Sequence, residues 1–132
     1  MGLALILLLD TATLIWATSS PDRLSSGARG ALEDERNEIW VSAASAWEVS
    51  TKHRQGRLDQ AGPLVRGWDA ELDRMGFDQL PITSAHALRS GGYDIAHRDP
   101  FDRIIAAQAD VEHMVLVASD LAFDLFGVTR LW

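Results

Sequence analysis

The stretch Leu3-Ala-Leu-Ile-Leu-Leu-Leu9, followed directly by Asp10-Thr11, decides the fold. Seven consecutive apolar residues with no polar alternation predict a strand buried on both faces, the pattern of a parallel sheet covered by helices. A carboxylate stands where that strand ends. In open α/β sheets the carboxyl ends of the strands are where ligands and chemistry gather. An acid set against a wholly apolar strand is costly unless something uses it. Asp10 is therefore read as the first member of a site.

Outward from this strand the chain alternates between the two kinds of element. A short helix is expected over 11–17, then an amphipathic helix over 28–37 after Ser25-Ser26-Gly27. Ile39-Trp40-Val41 reads as a second buried strand. A helix over 43–54 follows, capped by Ser42 or Ser45 and ended by Gly56. Next come a helix from Pro63 to Met75 and a strand at Gln79-Leu80-Pro81-Ile82, whose proline marks an edge or a strand end. A brief helix over 85–90 is stopped by Gly91-Gly92, and Asp99-Pro100 opens a strong helix from Phe101 to His113. The chain closes with a strand over 114–118, a short helix from Asp120 to Phe126 and an edge strand over 128–132. Such alternation predicts an α/β sandwich around a mostly parallel sheet.

At 132 residues and 47% hydrophobic, the chain is long enough for one compact domain with its own core. It shows no linker, low-complexity segment or internal repeat. With no cysteine, disulfides and thiolate zinc sites drop out, and a cytoplasmic setting is expected. The apolar start lacks a basic flank and is broken by Asp10, so a soluble protein without a membrane span is expected rather than a signal peptide. A net charge of −7 does not attract nucleic acid by its mean field; a nucleic-acid enzyme of this charge needs local basic residues and a cation in its site.

Four acids fall at matching places: Asp10 after the first strand, Glu48 inside the helix after the second, Asp102 in the first turn of the long helix, and Asp120 after the fourth strand. In a parallel sheet all strand-to-helix junctions lie on one edge, so these acids converge. Two carboxylates about 5 Å apart repel by roughly 3 kcal/mol at an effective dielectric near 20. Four together raise one another's pKa values or capture a cation. Oxygen donors without cysteine or a histidine pair favour Mg²⁺ or Mn²⁺ over zinc. Such a centre suits hydrolysis of a phosphodiester by in-line displacement. Each acid also has a capping alternative. Ser45-Ala-Trp-Glu48 is a capping-box pattern, Asp99-Pro-Phe-Asp102 pairs an N-cap with an acid at N3, and Asp120 is itself a good N-cap.

These residues carry a family resemblance. Leu8-Leu9-Asp10-Thr11, Val41-Ser-Ala-Ala-Ser-Ala-Trp-Glu48-Val, His97-Arg-Asp-Pro-Phe-Asp102-Arg-Ile-Ile-Ala-Ala-Gln-Ala109 and Leu116-Val-Ala-Ser-Asp120 together resemble a PIN domain. The chain looks most like the VapC toxins of bacterial type II toxin–antitoxin pairs. The resemblance covers essentially the whole chain, 1–132, as a single domain. It implies a three-layer α/β/α sandwich with about five strands and a Mg²⁺-dependent endoribonuclease (Mn²⁺ substituting) that slows translation. Asp10 and Asp102 then hold the metal, with Glu48 and Asp120 completing the shell directly or through water. Asp99 assists or, by preference, caps; Thr11 and Ser119 hold water or phosphate at the rim. The resemblance also implies a homodimer and a cognate antitoxin that inserts a helix or tail into a groove, in a pair or a higher assembly.

Lys52, His53, Arg54 and Arg57, together with His97, Arg98 and Arg103, are candidates to guide an RNA backbone toward the acids. Lys52, Arg54, Arg98 and Arg103 are the strongest of these. The first cluster is also explained as complement to a helix C-terminus. His86 and His113 read as ordinary surface or half-buried residues. Trp40 and Trp47 are expected in the core, with Trp16, Trp68 and Trp132 available to a protein interface. Asp124 competes with Asp120 but lies one turn further on. A haloacid-dehalogenase-type phosphatase wants an aspartate where Ala12 stands, and a receiver domain wants a lysine after a late strand, whereas the only lysine is Lys52. The remaining rival is a catalytically silent PIN-like module whose acids are caps and whose task is protein binding.

Overall fold

The computed structural model describes residues 3–132, so the first two residues of the expected 1–132 domain lie outside the described residues. β1 (Ile6–Leu9) is the middle strand of five, in the order β3-β2-β1-β4-β5, and every pairing is parallel. The other strands are β2 (Glu38–Ser42), β3 (Asp78–Leu80), β4 (Val115–Val117) and β5 (Arg130–Leu131). Alternation along β1 explains its apolar run. Leu7 and Leu9 enter a core with Val41 and Val117, while Leu8 enters the opposite core with Leu116 and Ile105; all three leucines are fully buried.

Helices close both faces. On one side α1 (Thr11–Ser19), α2 (Ser26–Glu33), α4 (Gly62–Arg66) and α5 (Trp68–Met75) contribute Leu14, Ala28, Leu64 and Leu72 to the first core. On the other, α7 (Pro100–Val111) and the 3-10 segment Leu121–Phe126 contribute Ile105, Ala106, Phe123 and Phe126 to the second, and α6 (Ser84–Gly92) packs against α7. α3 (Ala43–Arg54) supplies Ala44 to the second core and Val49 to the first. The three-layer α/β/α architecture is therefore as expected. Among the described residues no helix is long and apolar enough to cross a membrane.

The element boundaries depart from expectation where local chemistry intervenes. β1 begins only at Ile6, and Leu3 is left 88% exposed. α2 ends at Glu33, because Asn37 turns back to donate from Nδ2 to the Ala31 carbonyl and to accept from the Leu5 amide. The helix expected from Pro63 to Met75 is two helices, broken at Gly67, whose φ of −144° and ψ of 53° are not helical. β3 ends at Leu80, before Pro81. α6 takes in Gly91 and Gly92 as its last two residues and ends there, two residues later than expected. α7 stops at Val111, and His113 follows in the left-handed region with φ 56°.

Three expectations for aromatic and histidine residues are corrected. Trp47 is not a core residue: it is 62% exposed on the outer face of α3. Trp16 and Trp132 are partly buried and lie against each other with ring centroids 5.8 Å apart, so they are not free surface aromatics. His86 is fully buried rather than peripheral. Its Nδ1 accepts from the Thr83 amide in a capping box that starts α6, which leaves Nε2–H to donate to Glu112.

Candidate functional site

The registers of β1 with β2 and β4 pair Leu9 with Val41 and with Val117. Residues just past those positions therefore emerge side by side at the carboxyl edge of the sheet. Asp10 is the N-cap of α1: its Oδ1 accepts from the Thr13 amide at 2.9 Å, and its own amide donates to the Val117 carbonyl. The residue is only 6% exposed. Burial pushes its carboxyl up to about 6; the Thr13 hydrogen bonds oppose this, and the negative charges of Asp102 and Glu48 add to it.

Glu48 lies in the second turn of α3, also buried. The capping-box explanation for it does not hold. Ser42, not Ser45, is the N-cap, accepting from the Ala44 amide, and the Ser45 hydroxyl is instead paired with that of Thr11 at 2.9 Å. Glu48 Oε2 receives Lys52 one turn later, while Oε1 is buried with no hydrogen-bond partner. An orphaned carboxylate oxygen in the interior is expensive as it stands.

Asp102 sits in the first turn of α7 and pairs through Oδ2 with His97 Nε2 at 2.8 Å. Burial raises its pKa, His97 counters this, and Asp99 and Glu48 push it up further. Asp99 takes the capping role, accepting from the amides of Phe101 and Asp102. Asp120 lies on the same edge but is exposed, and its Oδ1 caps the 3-10 segment through the Ala122 amide. Asp124 is held by Arg130 at 2.9 Å and is no rival to it.

Three of the four acids thus feel one another electrostatically, and Asp120 stands apart at the rim. Among the described residues no three Asp, Glu or His side chains are grouped closely enough to ligate an ion as they stand. Glu48 is paired with Lys52 and Asp102 with His97. The donor set nonetheless fits a hard divalent cation: it is all oxygen, buried at Asp10 and Glu48, mutually repelling among Asp10, Glu48 and Asp102, and includes the unpartnered Glu48 Oε1.

The basic candidates separate into two kinds. Lys52 is spent on Glu48, and Arg103 turns inward to donate to the carbonyls of Ser90, Tyr93, Ile95 and His97, so neither presents a free cation to RNA. Arg54 and Arg98 are exposed and form no ion pair among the described residues. Thr11 is likewise buried against Ser45 instead of standing at the rim. A cavity of about 230 Å³ between α1 and α3 reaches Glu48 and Lys52 and is lined also by Thr11, Trp16, Arg23 and Gln60. His97 and Lys52, candidates for RNA contact on sequence grounds, are paired with Asp102 and Glu48. The four-residue spacing from Glu48 to Lys52 was the available signal for an intrahelical pair.

Comparison with known proteins bears on this arrangement. The family model described as PIN domain matches residues 7–128. Ribonuclease VapC16 of Mycobacterium tuberculosis is 36% identical over 58 residues, a match spanning 44% of this chain and 41% of that protein, less than half its length. Among solved structures, VapBC2 from Rickettsia felis bound to a DNA fragment from its promoter superposes with a TM-score of 0.56 at 17% identity, covering 95% of this chain and 96% of that one. FitAcB from Neisseria gonorrhoeae gives a TM-score of 0.58 at 20% identity, covering 94% and 95%. A domain of a functionally unknown protein from Methanocaldococcus jannaschii gives 0.61 at 17%, covering 96% and 89%. At these identities the structural likenesses speak for the fold. With the family model spanning nearly the whole chain, and the acids at the strand ends where the fold gathers its chemistry, the chain belongs to the PIN-domain family.

Proposed function

We propose that the protein is a divalent-cation-dependent endoribonuclease of the VapC type, the toxin of a toxin–antitoxin pair, which cuts RNA phosphodiester bonds and thereby inhibits translation. The observation that carries this reading is the buried Asp10, its carboxyl held up to about 6 beside Glu48 and Asp102 at the carboxyl edge of the sheet. Asp10 and Asp102 hold Mg²⁺ or Mn²⁺, with Glu48 and Asp120 completing the set directly or through water. Bound there, the cation lowers the pKa of a water and neutralises charge on the phosphate. Glu48 Oε1, buried and without a partner, is the acceptor that orients the attacking water. Lys52 keeps Glu48 in place through Oε2, and Arg98 and Arg54 supply the exposed positive charge that meets the strand.

The likeness to Ribonuclease VapC16 supports RNA as substrate, and the likeness to VapBC2 and FitAcB supports a cognate antitoxin; a homodimer and a cytoplasmic setting are part of the same proposal. The test is cleavage of total cellular RNA by the purified, antitoxin-free protein in Mg²⁺, in Mn²⁺ and in EDTA, beside Asp102→Asn. Internal cuts that vanish with chelation and with the substitution are expected. Cuts that persist in EDTA would remove the cation from the reading. Cuts of equal rate in Asp102→Asn would move the site elsewhere.

A further inference from the structure

Glu48 and Asp102 are each preceded by an aromatic residue, Trp47 and Phe101. These two rings meet edge to face across α3 and α7, with centroids 4.8 Å apart and planes at 78°. An edge-to-face contact takes up at most one face of the indole, and Trp47 remains 62% exposed. A lone exposed apolar residue is ordinary. This one is braced by a second ring, and both rings are tethered to acids of the proposed cleavage site.

Its surroundings narrow what it meets. On the same face of α3, Ala43 and Ser50 flank it one turn away, and Arg54 follows two turns on, about 10 Å along the axis. Along α3 the small and polar neighbours of Trp47 leave its ring and that of the partly buried Phe101 without the contiguous apolar patch that a protein partner needs. An aromatic face followed by an unpaired cation is the combination that holds single-stranded nucleic acid, a base on the ring and a phosphate on the charge.

We propose that Trp47, braced by Phe101, is a stacking platform for the nucleobase of a nucleotide neighbouring the scissile phosphodiester, with Arg54 contacting the strand beyond it. The proposal rests on the ribonuclease reading above and adds the residue that positions the strand. Stacking on an indole accepts any base, so Trp47 aligns the backbone over the acids and leaves sequence choice to other contacts.

The experiment compares binding of two strands, a single-stranded oligoribonucleotide of mixed sequence and the same ribose-phosphate chain lacking bases, to wild type, Trp47→Ala and Trp47→Phe. Ca²⁺ replaces Mg²⁺ so that the strand is held and not cut. Trp47→Ala is expected to weaken the base-bearing strand by roughly 5- to 150-fold. It leaves the abasic strand unchanged, and Trp47→Phe restores much of the loss. Because the ring is exposed, both variants should melt close to wild type. Equal binding of the base-bearing strand by wild type and Trp47→Ala overturns the platform, as does equal weakening of both strands. A wild-type dimer that Trp47→Ala converts to monomer also overturns it, assigning the ring to contact between copies. A parallel digestion in Mg²⁺ separates the two ideas: no cut alongside an intact binding difference overturns the nuclease reading and leaves the platform standing.

Discussion

At the scale of the residue, Asp10 carries a cost that can be measured. Its carboxyl rises from 3.8 to about 6 on folding, chiefly through burial. The folded protein therefore binds more protons than the unfolded chain between about pH 4 and pH 6, and the stability attached to Asp10 falls as pH rises through that window. Above it the penalty amounts to roughly 3 kcal/mol. In EDTA at pH 7, Asp10→Asn is expected to be more stable than wild type by up to about that amount, since Asn retains an acceptor for the Thr13 amide. Near pH 4 the advantage disappears. Mn²⁺ at about 1,000 times its Kd should reverse the order, adding about 4.1 kcal/mol to wild type and little to the variant. Urea unfolding at the two pH values, with and without Mn²⁺, checks all three. Equal stability at pH 7 without metal would mean that Asp10 is not under strain and that its site holds no stored repulsion. Asp10 was legible in the sequence because a charge against seven apolar residues has few explanations. The partners of Glu48 and Asp102 were harder to read, because Lys52 and His97 serve equally well on paper as RNA contacts or as counter-charges, and only distance decides.

At the scale of the element, the segment between α6 and α7 is organised by a side chain that belongs to neither end of it. Arg103, inside α7, donates to four carbonyls of residues 90–97, the distances running from 2.6 to 3.2 Å. The same segment delivers His97 to Asp102. Removing the guanidinium leaves several half-buried carbonyls without donors, and Arg103→Ala should cost roughly 2–4 kcal/mol. Arg103→Lys should recover little, because one ammonium cannot reach four acceptors spread along a loop. Amide exchange localised to residues 90–97, measured beside global unfolding, distinguishes loosening of this segment from general damage. Protection that stays at wild-type levels in Arg103→Ala would show that the loop is ordered by its apolar residues instead. The sequence could not announce this clamp, since an arginine following an acid at a helix start looks like surface charge. The same limit applies to the helix broken at Gly67 and to α6, which takes in Gly91 and Gly92 before it ends. Whether a glycine interrupts a helix depends on tertiary contacts that periodicity does not contain. The strands were easier, because Leu7, Leu8 and Leu9 feed two different cores and must all be apolar.

At the scale of the whole molecule, the proposed ribonuclease activity sets a net charge of −7 against a polyanionic substrate. The proposed cation at the acids would relieve part of the conflict, and the candidate basic residues relieve less than their number suggests. Of the four strongest candidates, Lys52 is paired with Glu48 and Arg103 is folded into the protein, leaving Arg54 and Arg98. Each phosphate neutralised on a single strand contributes about −0.7 to the slope of log affinity against log salt, so one copy of the chain should show a slope near −1.4 at fixed divalent concentration. Arg98→Ala and Arg54→Ala should each make that slope shallower by about 0.7. The weak dependence follows because the fold spends Lys52 on Glu48 and Arg103 on backbone carbonyls. A slope near −3 or steeper in wild type would contradict it. The strand would then be meeting about twice as many cations as Arg54 and Arg98 supply, the extra charge coming from other exposed arginines such as Arg57 or from a second copy arranged around the same RNA. Titrations at several salt concentrations, repeated on a protein shown by sedimentation to be monomeric or dimeric, tie the slope to the number of chains that hold the strand.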